Sequence, residues 1–125
     1  MPNIKTPHST TNKGNYGETA ALGFLQSRGY TIVERNYKRF GGEIDIIAKH
    51  NEYIVFIEVK YRRGLSVGLP RIAVTPAKQR QISRAALGYI GEKGLTDTDF
   101  RFDVIEVFGT ELLDINHIED AFHVQ

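Results

Sequence analysis

Glu43–Tyr61, EIDIIAKHNEYIVFIEVKY, decides the fold: two runs of β-branched and aromatic residues flank a polar break at Asn51–Glu52. Each run is too short for a helix, so the stretch reads as two antiparallel strands, Glu43–Lys49 and Tyr53–Tyr61. Strands this apolar nevertheless carry Glu43, Asp45, Glu58 and Lys60. Residues two apart share a face, so Glu43, Asp45 and Ile47 should lie with Phe56, Glu58 and Lys60 on one side. Ile44, Ile46, Val55, Ile57 and Val59 then line the other. With Asn51–Glu52 as a two-residue turn, His50 pairs with Tyr53. That register sets Asp45 opposite Glu58 and Glu43 opposite Lys60, with facing Cβ atoms about 5 Å apart.

Upstream, Tyr30–Tyr37 reads as a further strand. Before it, Tyr16–Arg28 reads as a helix, with Ala20, Ala21, Phe24 and Leu25 at helical spacing and Gly29 placed to end it. Downstream, Arg62–Val74 is a Gly- and Pro-containing loop. Thr75–Pro76 supplies an N-cap and a first-turn proline for a helix to about Ile90, closed by Gly91 or Gly94. Phe100–Phe108, FRFDVIEVF, alternates as a strand, and Leu112–Ile118 reads as either a short strand or an irregular turn. The expected class is α/β: a mixed central sheet flanked by helices. Met1–Lys13 reads as a flexible lead and residues 14–125 as a single domain.

Composition narrows the chemistry. The 125 residues are 41% hydrophobic and contain no cysteine, which removes thiol nucleophiles, thiolate metal sites and disulfides. No apolar run is long enough to span a bilayer and the lead has no signal-like core, so no membrane partner and a cytoplasmic location are expected. The net charge of +1 hides a split: residues 1–96 carry 15 basic and 7 acidic side chains, residues 97–125 carry 1 and 8. A basic majority with an acidic tail hints at nucleic-acid contact, and equally fits a tail folded back on the basic part. The tail acids, Asp103 and Glu106 included, are expected mostly away from substrate.

Two carboxylates opposed on a sheet repel unless a cation sits between them. Oxygen-only ligands favour Mg²⁺ or Mn²⁺, and Lys60 would project beside the same position, where its ammonium could orient a water or neutralise a phosphoryl transition state. The plainer alternative pairs Glu43 with Lys60 and leaves Asp45 and Glu58 at a wet sheet edge. His117 and His123 lack zinc-type spacing and read as structural or surface residues. Gly64 and Gly68 lack the context of a nucleotide loop, and without tryptophan or a sugar cleft a glycosidase is remote.

Gly42-Glu43-Ile44-Asp45 followed by Phe56-Ile57-Glu58-Val59-Lys60 resembles the D…E-x-K core of the PD-(D/E)XK nuclease superfamily, and Gly14-x-x-Gly17-Glu18-x-x-Ala21 resembles its first-helix motif. The fuller similarity is to the YraN-like endonuclease-like family. It extends to Glu34-Arg35-Asn36-Tyr37, Ala73-Val74-Thr75 leading to Lys78-Gln79-Arg80, Arg101-Phe102-Asp103-Val104, and Ile118 to Phe122. Tyr61 departs from the smaller residue usual after the lysine. The resemblance implies a restriction-endonuclease-like core: helix, three antiparallel strands, helix, strand. It implies Asp45 and Glu58 as metal ligands, Lys60 as the catalytic lysine and the Val59 carbonyl as a further ligand. Glu18 would join from the first helix, directly or through a metal-bound water; on sequence alone it is simply a first-turn carboxylate favoured by the helix dipole.

The expected activity is metal-dependent hydrolysis of nucleic acid, DNA in particular. A non-catalytic nucleic-acid-binding module on the same fold is the alternative. Arg62, Arg63, Arg71, Lys78, Gln79 and Arg80 are the expected nucleic-acid contacts, with Lys78 and Gln79 alternatively turned toward the metal. Tyr37 and Tyr61 could stack on unpaired bases, or simply pack. One small domain offers one site, so a homodimer is expected if both strands of a duplex are cut.

Overall fold

The computed structural model describes residues 12–62, 74–109 and 111–125, with side chains from Tyr16 onward. The lead before Asn12, Arg63, Arg71 and the glycines of the connecting loop lie outside the described residues. The element order is α1 (Asn12–Ser27), β1 (Thr31–Arg39), β2 (Gly42–His50), β3 (Tyr53–Arg62), α2 (Pro76–Lys93), β4 (Asp99–Phe108) and β5 (Asp114–Phe122). The strands form one mixed sheet in the order β1-β2-β3-β4-β5, antiparallel except for the β3–β4 pair. Parallel neighbours need a crossover, and α2 provides it. The α/β class with a restriction-endonuclease-like arrangement is therefore present, and the ambiguous C-terminal stretch is the edge strand β5.

Two cores flank the sheet. On the α2 side, Ile82, Ala86 and Tyr89 pack on Ile44, Ile47, Phe56, Phe102 and Val104; on the α1 side, Ala21 and Leu25 pack on Ile46, Val55, Ile57, Ile105 and Val107. The local chemistry of α2 is as the sequence indicates. Thr75 Oγ1 accepts from Lys78 N at 3.1 Å, Pro76 opens the helix, and Gly94, not Gly91, closes it in the left-handed region at φ 66. Helix α1 begins at Asn12, four residues before Tyr16, so Glu18 lies beyond the first turn and the dipole explanation for it fails. Gly42 sits where β2 meets α2, and a Cβ there would fall onto the Gln81 carbonyl, so only glycine allows this approach.

The β2–β3 register is the expected one, from His50↔Tyr53 to Ile46↔Ile57. The expected faces hold for Ile47 and Phe56 on one side and for Ile46, Val55, Ile57 and Val59 on the other, and fail at Ile44. Ile44 packs on the α2 side with Ile47, whereas Ile46, two residues on from Ile44, packs on the α1 side. The reversal has a local cause across the β1–β2 ladder. Asn36, between the pairs Arg35↔Ile46 and Tyr37↔Ile44, has φ 53, outside any regular strand conformation. Asp45 faces this irregular point, so strict alternation breaks at the very residue whose orientation matters most.

Candidate functional site

Asp45 leaves the regular pleat and spends its carboxylate on the neighbouring strand: Oδ2 accepts from Val59 N at 2.8 Å. The ladder pairing ends at Ile46↔Ile57, and beyond it this side-chain bond joins the strands. Glu58, on β3, is 6% exposed, so the wet-edge alternative does not hold. Its Oε2 faces two ammonium groups, Lys60 Nζ at 3.7 Å and Lys78 Nζ at 4.0 Å. Lys60 therefore pairs with Glu58, not with Glu43. The other oxygen, Glu58 Oε1, is buried with no hydrogen-bond partner. An unpartnered carboxylate oxygen in such a place is costly, because nothing replaces the water it lost.

Electrostatics registers the conflict. Burial, then the charge of Asp45, pushes the Glu58 carboxyl up to about 7, and Lys78 and Lys60 only partly oppose this. Asp45 is also raised, by burial first and by Glu43 further on, against the Val59 N–H that favours its charged form. Of the two, Glu58 is the more readily protonated, because the charge of Asp45 adds to its burial.

Glu18 comes to the rim of this pair from α1. Burial and then Asp45 raise its pKa, while Arg35 Nη2, 3.4 Å from Glu18 Oε1, opposes them. Among the described residues no three of His, Asp or Glu converge closely enough to hold a cation by themselves, so Asp45 and Glu58 form the close pair and Glu18 stands one step back on Arg35. Of the expected nucleic-acid contacts, Lys78 points at Glu58, Gln79 Nε2 donates to the Val74 carbonyl at 2.8 Å, and Arg80 is exposed on α2. Arg62 ends β3, its carbonyl accepting from Gly109 N at 3.0 Å. Tyr37 is 8% exposed and donates to Glu92 Oε1 at 2.9 Å, so it packs and does not stack on bases. Tyr61 Oη donates to the Gly109 carbonyl at 2.8 Å, and its ring meets Tyr16 edge-on.

Sequence reasoning missed the Arg35–Glu18 pair and the burial of Glu106 in register with Lys60. The second was readable: in FRFDVIEVF, Phe102, Val104 and Glu106 share a face.

Residues 17–107 match the model of the Uncharacterised protein family UPF0102. The chain belongs to the UPF0102 family, the YraN family. Its relatives agree over nearly their full length. The UPF0102 protein GSU0650 of Geobacter sulfurreducens is 42% identical over 126 residues, covering 99% of this chain and 98% of the relative. A UPF0102 protein of Geotalea uraniireducens is 47% identical over 113 residues, 89% of each chain. The UPF0102 protein CA_C1763 of Clostridium acetobutylicum is 47% identical over 114 residues, 89% of this chain and 93% of the relative. The D…E-x-K stretch of this UPF0102 chain, residues 45–60, lies inside the matched segment. No helix of the described residues is long and apolar enough to cross a membrane.

Proposed function

We propose that this UPF0102 protein is a divalent-cation-dependent phosphodiesterase acting on nucleic acid, DNA in particular, at the Asp45–Glu58 pair. The observation that carries the reading is the orphaned Glu58 Oε1: a buried oxygen with no hydrogen-bond partner, beside the half-buried carboxylate of Asp45, suits a hard cation better than it suits an apo fold. Mg²⁺ or Mn²⁺ would be held by Asp45 and Glu58, with the Val59 carbonyl close by on the same strand and water filling the remainder. Such a cation takes one or two carboxylates readily, so a two-carboxylate set is sufficient. When bound, it would supply Lewis-acid activation of water and stabilise charge developing on the phosphate.

The chain's own residues do the rest. Lys60 holds its ammonium beside Glu58, where it would orient a nucleophile or neutralise a phosphate oxygen. Lys78 brings a second ammonium from the first turn of α2, and Arg62, Arg63, Arg71 and Arg80 are the residues proposed to contact backbone phosphates. Glu18, held by Arg35, completes the anionic rim through water.

A panel of labelled duplex, single-stranded, flap, four-way-junction and RNA substrates, in Mg²⁺, Mn²⁺ or EDTA, tests the reading. Cleavage is expected with metal and not with EDTA. Asp45→Asn should reduce it at least about a hundredfold, the upper end of what loss of a ligand's hydrogen-bonding partner costs. Salt-sensitive binding without turnover on every substrate would favour the non-catalytic binding module instead.

A further inference from the structure

β4 sends Phe102, Val104 and Glu106 to the α2 face, and the third member of this apolar row is a carboxylate only 2% exposed. Burying such a group is expensive unless a cation or several donors meet it. Glu106 has one neutral donor: Asn116 Nδ2 gives a hydrogen bond to its Oε1 at 2.9 Å. Among the described residues it forms no ion pair. The cation beside it in the sheet register is Lys60. The parallel ladder pairs Lys60 with Glu106, and the next ladder pairs Glu106 with Asn116, so the three stand in one row across β3, β4 and β5. Neighbouring strands lie about 4.8 Å apart. The Lys60 ammonium leans forward out of this row to Glu58 at 3.7 Å.

We infer that Glu106 is a positioning residue for Lys60, the second anion that keeps the ammonium beside the site once Glu58 is engaged by a divalent cation. The inference rests on the cation reading above. Glu58 Oε2 cannot serve Lys60 and a cation equally, and a lysine with no other anion either competes for that oxygen or swings into solvent. Glu106 removes the choice. It is fixed from behind by Asn116, is screened from water, and lies on the same face as Lys60, so its field draws the ammonium back without reaching the scissile region itself. A charge that would be a liability in an ordinary core thereby becomes the rear support of a lysine that has to share its front partner.

The test is a double-mutant cycle on Mn²⁺ affinity, read by calorimetry on the full chain without substrate: wild type, Glu106→Gln, Lys60→Ala and the double variant. Glu106→Gln keeps the shape and the acceptor for Asn116. It should weaken Mn²⁺ binding about five- to tenfold as Lys60 turns wholly onto Glu58, and in the Lys60→Ala background the same change should alter affinity less than about twofold. Glu106→Asp, which keeps the charge, should recover at least half of the loss. Where turnover is measurable, Glu106→Gln should lower kcat with KM unchanged.

An equal effect of Glu106→Gln with and without Lys60 would overturn the inference, since Glu106 would then act on the cation directly. No effect in either background would overturn it too. Should Glu106→Gln fail to fold, Glu106→Met, an apolar residue of similar length in an otherwise apolar row, is expected to give the same Lys60-dependent weakening, and a Lys60-independent result would overturn the inference. Failure of the underlying reading looks different: wild type would bind no Mn²⁺, or would bind it equally well after Asp45→Asn, and the role of Glu106 would fall with it.

Discussion

Asp103 and Glu58 are buried carboxylates one step apart along the same β3–β4 ladder, on opposite faces, and they are treated in opposite ways. Asp103, 0% exposed, is paired with Ile57 and belongs to the α1 side. It accepts from Arg101 Nε at 2.9 Å, His117 Nε2 at 2.8 Å and Asp120 N at 3.0 Å. Burial works against its ionisation, but those bonds outweigh it and hold the carboxyl below the usual range. Glu58 sits as deep, yet its lysines stand at 3.7 and 4.0 Å, one of its oxygens has no donor, and its pKa is raised to about 7. The same fold can satisfy a buried carboxylate completely. Where it does not, the shortfall is local, and it coincides with the pair proposed above to take a cation.

The sharpest way to break this contrast is by stability. Asp103→Asn leaves Arg101 beside a neutral partner, with Glu119 at 4.0 Å as the remaining acid. It should cost roughly 3 kcal/mol in urea denaturation, the lower end for breaking a buried pair. Glu58→Gln removes a charge that the fold does not satisfy, and should be neutral or stabilising by about 1 kcal/mol without metal. Equal losses in the two variants would erase the distinction.

The next largest effect is the pH dependence of stability. Glu58 has an ordinary value of 4.5 and a folded value of about 7, so between these the folded state binds more protons and stability without metal falls as pH rises. The drop should be on the order of 2–3 kcal/mol and should flatten in Glu58→Gln. The melting-temperature gain from Mn²⁺ should instead grow as pH rises through about 7, because the cation needs the ionised pair. Asp103 has the opposite sign. Its depressed value contributes stability above its ordinary 3.8 that is lost as pH falls through the folded value. Melting curves in EDTA should therefore peak on the acid side of neutrality; a rise from pH 5 to pH 7 would contradict the account.

The smallest effect concerns the lysines. Thr75→Ala removes the acceptor for Lys78 N and should cost about 1 kcal/mol. It should also loosen Lys78 and move the Glu58 titration, followed by carboxyl-labelled NMR, further upward.

The sequence carried most of the fold because its signals were local. The alternation in EIDIIAKHNEYIVFIEVKY, the Thr75–Pro76 helix start and the Gly94 stop act over a few residues, and the hairpin register follows from the turn alone. The approach of Asp45 and Glu58 to each other was legible too, since both sit at the open end of the same apolar hairpin. The face exchange at Asp45 was not, because it depends on Asn36 adopting a left-handed conformation in the adjoining strand. The lysine pair, the withdrawal of Glu18 onto Arg35 and the burial of Glu106 were hidden for a related reason. Each joins elements that meet only across the sheet, and β5 carries too little hydrophobic alternation to announce itself.

The bend at Asn36 has a second consequence, for how the molecule behaves in a crowd. β1 and β5 are the outer strands of the sheet, and unpaired outer strands are templates for stacking chain upon chain. They carry opposite charge: Arg35, Lys38 and Arg39 outnumber Glu34 on one, while Asp114, Glu119 and Asp120 line the other. Opposite borders of this kind invite head-to-tail growth into fibres. Each border is interrupted by a left-handed residue, Asn36 at φ 53 and Asp120 at φ 53, and each ladder has a register shift, so neither offers a long regular row of amides. The left-handed residue that faces Asp45 from β1 thus also breaks the row of amides that this border would otherwise present.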